Sequence, residues 1–160
     1  MASTMRHSPL RVVGAYVAGV LVAYATAAMA STQWVLAELT GMGAPVGPAE
    51  RLAATGHDLV GMASSYLPLI AVGLAIAFPV AAGVVRILPR LRPIGYPLAG
   101  GAAVLAIHVI LNELLEITPI AAARTTAGLT VQALCGALGG WVFLRGLPRP
   151  APRGAGAARA

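Results

Sequence analysis

Four long apolar runs, residues 12–32, 64–88, 97–117 and 120–147, alternate with shorter stretches where polar residues, glycines and prolines gather. Each run reaches the ~20 residues an α-helix needs to cross a hydrocarbon core of about 30 Å. Within lipid, a helix is the one open-ended element that satisfies its own backbone hydrogen bonds. The pattern therefore predicts an all-α membrane protein, four transmembrane helices in an up-down bundle. The first run carries Ala15, Gly19, Ala23 and Ala27 at four-residue spacing, and the second carries Gly73, Ala77 and Ala81. Such small-residue stripes let another helix backbone come close and are read as packing surfaces. Pro79 interrupts the second run and predicts a bend, because it removes one backbone hydrogen bond.

The connections differ in length. Residues 40–63 hold the breakers Gly41, Gly43, Pro45, Gly47 and Pro48. Pro48 at a first helical position, with Glu50 in the first turn, predicts a short interfacial helix within this loop. His57 and Asp58 are adjacent there, but a metal site needs three or four converging ligands, so the pair reads as solvated surface. A tight turn, PRLRPI, joins the second run to the third, and Thr118–Pro119 reads as the N-cap and first residue of the fourth.

Composition strengthens the membrane reading. Only 10% of residues are charged and 58% are hydrophobic, against about 25% charged in soluble domains. The net charge of +6 and pI near 10.8 raise nucleic acid as a partner, and the placement of the charges argues against it. Arg6, Arg11, Arg86, Arg90, Arg92, Arg145, Arg149, Arg153 and Arg159 flank the runs on one side, and only Arg51 and Arg124 fall on the other. Glu38, Glu50, Asp58, Glu113 and Glu116 all fall with those two. That is the positive-inside distribution for a chain with both termini cytoplasmic. It makes residues 1–11 a cytoplasmic arm, 40–63 a periplasmic loop, and 148–160 a disordered basic cytoplasmic tail. The partner is the lipid bilayer, to whose anionic lipids the tail arginines are drawn by about 1 kcal/mol each. No nucleic-acid motif accompanies the basic residues. The abundance of Ala and Arg with no Lys points to a GC-rich bacterial genome, hence a bacterial inner membrane.

A second reading attaches to the first run: a basic arm, an apolar stretch and Ala28-Met29-Ala30 before Ser31 have the shape of a cleavable secretory signal. The run exceeds the usual signal core of about 7–15 residues, and the apolar pattern resumes at Trp34, which favours retention.

Candidate chemistry concentrates in residues 105–140. His108, Asn112, Glu113, Glu116, Arg124 and Gln132 are polar residues within apolar sequence. An ionisable group at the membrane centre costs on the order of 2.5–3.5 kcal/mol unless it finds a partner or water. Folding the last two runs about Thr118–Pro119 sets Glu113 level with Arg124 as an ion pair and Leu105 near Gln132. His108, Asn112 and Glu116 share one side of their helix, while Arg124, Gly128, Gln132, Cys135 and Gly139 share a face of the next. These faces define an intramembrane polar seam. Its structural reading is a set of interhelical hydrogen bonds that fixes packing register. The alternative is a small transporter or proton/cation-conducting subunit relaying through His108 and the Glu113/Glu116 carboxylates.

Haem ligation through two histidines would need a second intramembrane His, which one chain does not supply. Cys135 stands alone, so no disulfide or Cys-x-x-Cys chemistry is expected. No nucleophile-elbow, zinc-protease or phosphate-loop motif occurs, and no repeat is visible. The expectation is a non-enzymatic membrane or accessory component without cofactor or metal. Association into a homo-oligomer, or with a membrane-complex partner, is left open to the small-residue helix faces.

Overall fold

The computed structural model describes residues 9–115 and 120–148. Residues 1–8, Glu116, the Thr118–Pro119 cap and residues 149–160 lie outside that description. The described chain forms five α-helices and no strand: α1 (Pro9–Gly41), α2 (Pro48–Gly61), α3 (Tyr66–Ile87), α4 (Arg92–Leu115) and α5 (Thr126–Gly146). Short 3-10 turns at Pro89–Leu91 and Ala121–Arg124 precede α4 and α5. All but α2 are long and apolar enough to cross a membrane, as expected of a multi-pass membrane protein.

α1 is longer than expected. Its 33 residues correspond to about 50 Å at 1.5 Å per residue, well beyond a core of about 30 Å. Ser31 and Thr32, expected at the end of the span, lie inside the helix. Thr26, Thr32 and Thr40 return their hydroxyls to carbonyls one turn back, Val22, Ala28 and Leu36, at 2.7, 3.1 and 2.7 Å. Those local bonds let hydroxyl residues sit in an apolar helix. The helix stops in a Schellman turn, in which Ala44 N–H bonds Leu39 O at 3.1 Å and Gly43 N–H bonds Thr40 O at 3.0 Å. Gly43 has φ +90°, a conformation that side chains with a Cβ resist.

α2 begins at Pro48, as its sequence predicts, and the Glu50 carboxylate accepts from Gly47 N–H at 2.7 Å. It is pinned along α1 from the middle of that helix outward. Thr32 Oγ1 lies 2.8 Å from Asp58 Oδ2, Tyr24 donates to Leu59 O, and Arg51 donates to Gln33 Oε1 at 2.9 Å. Asp58 is thus an anchor to α1, not the solvated surface group expected, whereas His57 is exposed. The sequence could not show this, because no local pattern joins Asp58 to Thr32, 26 residues before it.

Helix starts also differ. α4 begins at Arg92 instead of 97, with Pro97 inside it. α5 begins at Thr126 instead of 120, because Ile120 and Thr125 are extended and Ala121–Arg124 forms the 3-10 turn. Thr125 is the observed N-cap, its Oγ1 accepting from Gly128 N–H at 3.1 Å.

Glycines set how closely the helices approach. A Cβ at Gly100 would fall on the Gly136 carbonyl oxygen, and one at Gly140 on the carbonyl of Tyr96. On another side of α5, a Cβ at Gly139 would come within 2.6 Å of Gly19 O, and one at Gly146 within 2.5 Å of Ala15 Cβ. α5 therefore packs backbone to backbone against both α1 and α4, the small-xxx-small arrangement of membrane helices. Gly73 faces Ile107 and Ala103, joining α3 to α4. Between these contacts an aromatic cluster fills the core. Phe78 and Phe143 stack at 4.2 Å, and Tyr96 meets Phe143 edge-on at 5.3 Å. Arg92 closes this end by donating to Pro148 O at 2.6 Å.

Candidate functional site: a buried polar clasp

Polar side chains from four helices converge near the end of the bundle where α2 sits. Its centre is Tyr66, the first residue of α3 and only 2% exposed. Its hydroxyl lies 3.1 Å from His108 Nε2 on α4 and 3.1 Å from Gln132 Oε1 on α5. Gln132 has no exposed surface, and its amide nitrogen reaches Ala27 O at 3.1 Å and Ser31 Oγ at 2.7 Å, both on α1. His108 and Ser31 are also buried. The Tyr66 ring packs against His108 at 5.8 Å and Tyr24 at 6.3 Å, holding the phenol in line.

Counting donors fixes the direction of the chain. Gln132 spends both amide N–H groups on α1, and its oxygen accepts from Tyr66 O–H. Having given its proton away, the Tyr66 oxygen accepts from His108, which places a hydrogen on Nε2. The order is His108 Nε2–H to Tyr66 O–H to Gln132 Oε1, and then from the Gln132 amide to Ala27 O and Ser31. Among the described residues no buried side-chain nitrogen or oxygen is left without a partner. That completeness matters in lipid, where an unpaired polar group costs several kcal/mol.

The sequence-derived seam is distributed unevenly. His108 and Gln132 share Tyr66 as a common partner. Asn112, Glu113 and Arg124 are exposed nearer the end of the bundle, and Asn112 and Arg124 each have an interaction there. An ion pair joining Glu113 to Arg124, expected from the hairpin, is not formed among the described residues. Glu116 lies outside them. His108 sits 16 residues after Arg92, the first residue of α4.

Sequence reasoning missed Tyr66 and Ser31. Tyr66 carried a usable signal, a hydroxyl at the head of the unbroken apolar run that starts at Leu67. Ser31 was masked by its place in the signal-like Ala-Met-Ala-Ser string. Cys135 is partly buried on α5, in the turn after Gln132. No group of three or more His, Cys, Asp or Glu that could hold a metal is found among the described residues.

No family model, curated protein or solved structure matches this chain. What the fold and site support is a class: a multi-pass, all-helical membrane protein whose four long helices are cross-tied by one buried hydrogen-bond chain.

Proposed function

We propose that this is a non-enzymatic, four-span component of a bacterial inner membrane, in which the clasp of His108, Tyr66, Gln132 and Ser31 locks helix register. The carrying observation is where the hydrogen-bond chain ends. A proton relay needs each member to accept a proton on one side and release one on the other. Gln132 is an amide whose N–H groups point at a backbone carbonyl and a serine, and a backbone carbonyl cannot pass a proton on. The chain is polarised and closed, which favours a structural lock over the conducting alternative.

The up-down arrangement with both termini cytoplasmic belongs to this reading. Gly19 meets Gly139 while Ala15 meets Gly146, and Gly100 meets Gly136 while Tyr96 meets Gly140, so partners run in opposite directions. Arg11, Arg86, Arg90, Arg92 and Arg145 gather at one end, whereas Glu38, Glu50, Asp58 and Glu113 occupy the other with Arg51 and Arg124. By the positive-inside rule the arginine end is cytoplasmic. Cleavage after Ala30 would cut a continuous helix and remove the Ala27 carbonyl from Gln132, so α1 is retained in this reading.

His108→Ala separates the two functional readings. The structural lock predicts a lower thermal stability in detergent or bilayer discs and no ion flux to lose. Proton or cation flux in reconstituted vesicles that disappears in His108→Ala, with stability unchanged, refutes it.

A further inference from the structure

A second feature, a groove open to the outer face of the bundle, lies toward the arginine end. A cavity of about 430 Å³ is lined by Val12, Tyr16, Ala75, Phe78, Phe143 and Leu147, with Tyr96 at its wall. That volume is within the range of about 300–1,000 Å³ for small-molecule sites. Its α3 wall runs from Leu74 to Ala82, about 12 Å along the helix at 1.5 Å per residue. The space is long, apolar and parallel to the bundle.

One polar group interrupts it. Three of the four tyrosines spend their hydroxyls on protein acceptors: Tyr16 on Ala71 O, Tyr24 on Leu59 O and Tyr66 on Gln132. Tyr96 is 7% exposed, lines the cavity, and has no hydrogen-bond partner among the described residues. Its ring is held by Phe78 and Phe143, while the hydroxyl itself is reachable from outside the fold and so keeps its donor for something beyond the chain. Three arginines on three helices stand at this end, Arg92 among them already donating to Pro148 O. Arg11 adjoins Val12, Arg86 follows Ala82 by one turn, and Arg92 precedes Tyr96 by one turn, so the last two share a face with a lining residue. No carboxylate lies at that end among the described residues.

We propose that this cavity holds one acyl chain of an anionic phospholipid, whose ester or phosphate oxygen accepts from the Tyr96 hydroxyl while its charge faces Arg11, Arg86 and Arg92. A neutral lipophile would use the apolar walls but leave the guanidiniums without a counter-charge. A free phosphate would have no use for the cavity. The site needs membrane embedding, and neither the orientation nor the clasp enters the inference.

The full chain, reconstituted in bilayer discs of equal phosphatidylglycerol and phosphatidylcholine and then released into mild detergent, is weighed intact with its retained lipid. One phosphatidylglycerol per chain is expected, in several-fold excess over phosphatidylcholine. Tyr96→Phe should lower its occupancy by about two- to tenfold, one hydrogen bond's worth. Ala82→Phe, which fills the cavity, should remove it. Equal retention of the two lipids overturns the proposal, as does undiminished occupancy in Ala82→Phe. If Ala82→Phe does not fold, Tyr96→Phe decides, and unchanged phosphatidylglycerol occupancy in that variant overturns the site.

Discussion

Tyr66→Phe removes a single oxygen and tests the clasp most cleanly. The ring contacts with Tyr24 and His108 survive, at 6.3 and 5.8 Å between centroids. What is lost is both hydrogen bonds of the hydroxyl, each 3.1 Å long. His108 Nε2–H and Gln132 Oε1 each lose the phenol as a partner. Interhelical hydrogen bonds in membranes average about 0.6 kcal/mol each and reach about 1.7. A buried polar group left unsatisfied costs about 1–3 kcal/mol. Gln132 has no exposed surface through which water could replace the phenol, so the larger scale governs. The expected loss is about 2–3 kcal/mol, on the order of a 30- to 150-fold shift in the unfolding equilibrium. Reversible unfolding by denaturant in mixed micelles would read it. The diagnostic is the double mutant. Adding Gln132→Leu to Tyr66→Phe removes the stranded acceptor as well, so the second change should cost at least about 1 kcal/mol less than it does alone. Additive losses, or a Tyr66→Phe protein within about 0.3 kcal/mol of the parent, would refute the bond assignment.

Two further outcomes follow from the packing. Gly136→Val places a side chain on the Gly100 carbonyl and within reach of Val104. It should lower thermal stability by about 1–3 kcal/mol or prevent folding, whereas Gly14→Val, where nothing lies within 4 Å, should stay within about 0.5 kcal/mol. In cells, intact mass should retain the residues before Ser31. In a Cys135→Ala background, a cysteine at Gly56 should react with an impermeant reagent from the periplasmic side and one at Arg90 should not; the reverse pattern would overturn the orientation.

The four long helices were legible because lipid imposes a length and a composition on anything that crosses it, and the runs around Ala23, Phe78, Val104 and Gly136 obey both. The stripe of Ala15, Gly19, Ala23 and Ala27 was also readable as a packing face, and all four are buried. The glycines that do most of the work on α5 were harder to see. Gly136, Gly139 and Gly140 lie so close in sequence that two faces, one for α4 and one for α1, overlap in a single short string. Proline marked a helix start correctly at Pro48 but not at Pro97, which lies inside α4. The polar residues were found by type, but sequence alone gives depth poorly and partners hardly at all. Tyr66 is separated from His108 by 42 residues and from Gln132 by 66. No local pattern joins them, and only the packing of α3 between its neighbours does.

The two halves of the bundle are held by different physics, and this decides where function can reside. Toward the α2 end, direction-specific hydrogen bonds tie α1, α3, α4 and α5 through one amide and one phenol. Sliding any helix by a turn, about 5.4 Å, would break them. Toward the arginine end, cohesion comes chiefly from aromatic faces and glycine contacts, beside the hydrogen bonds of Tyr16 to Ala71 O and Arg92 to Pro148 O. It follows that clasp variants should disturb lipid retention at Tyr96 through misregister, while cavity variants such as Tyr96→Phe should leave the clasp intact. That asymmetry gives the polar centre an organising role, with the arginine end free to meet the membrane.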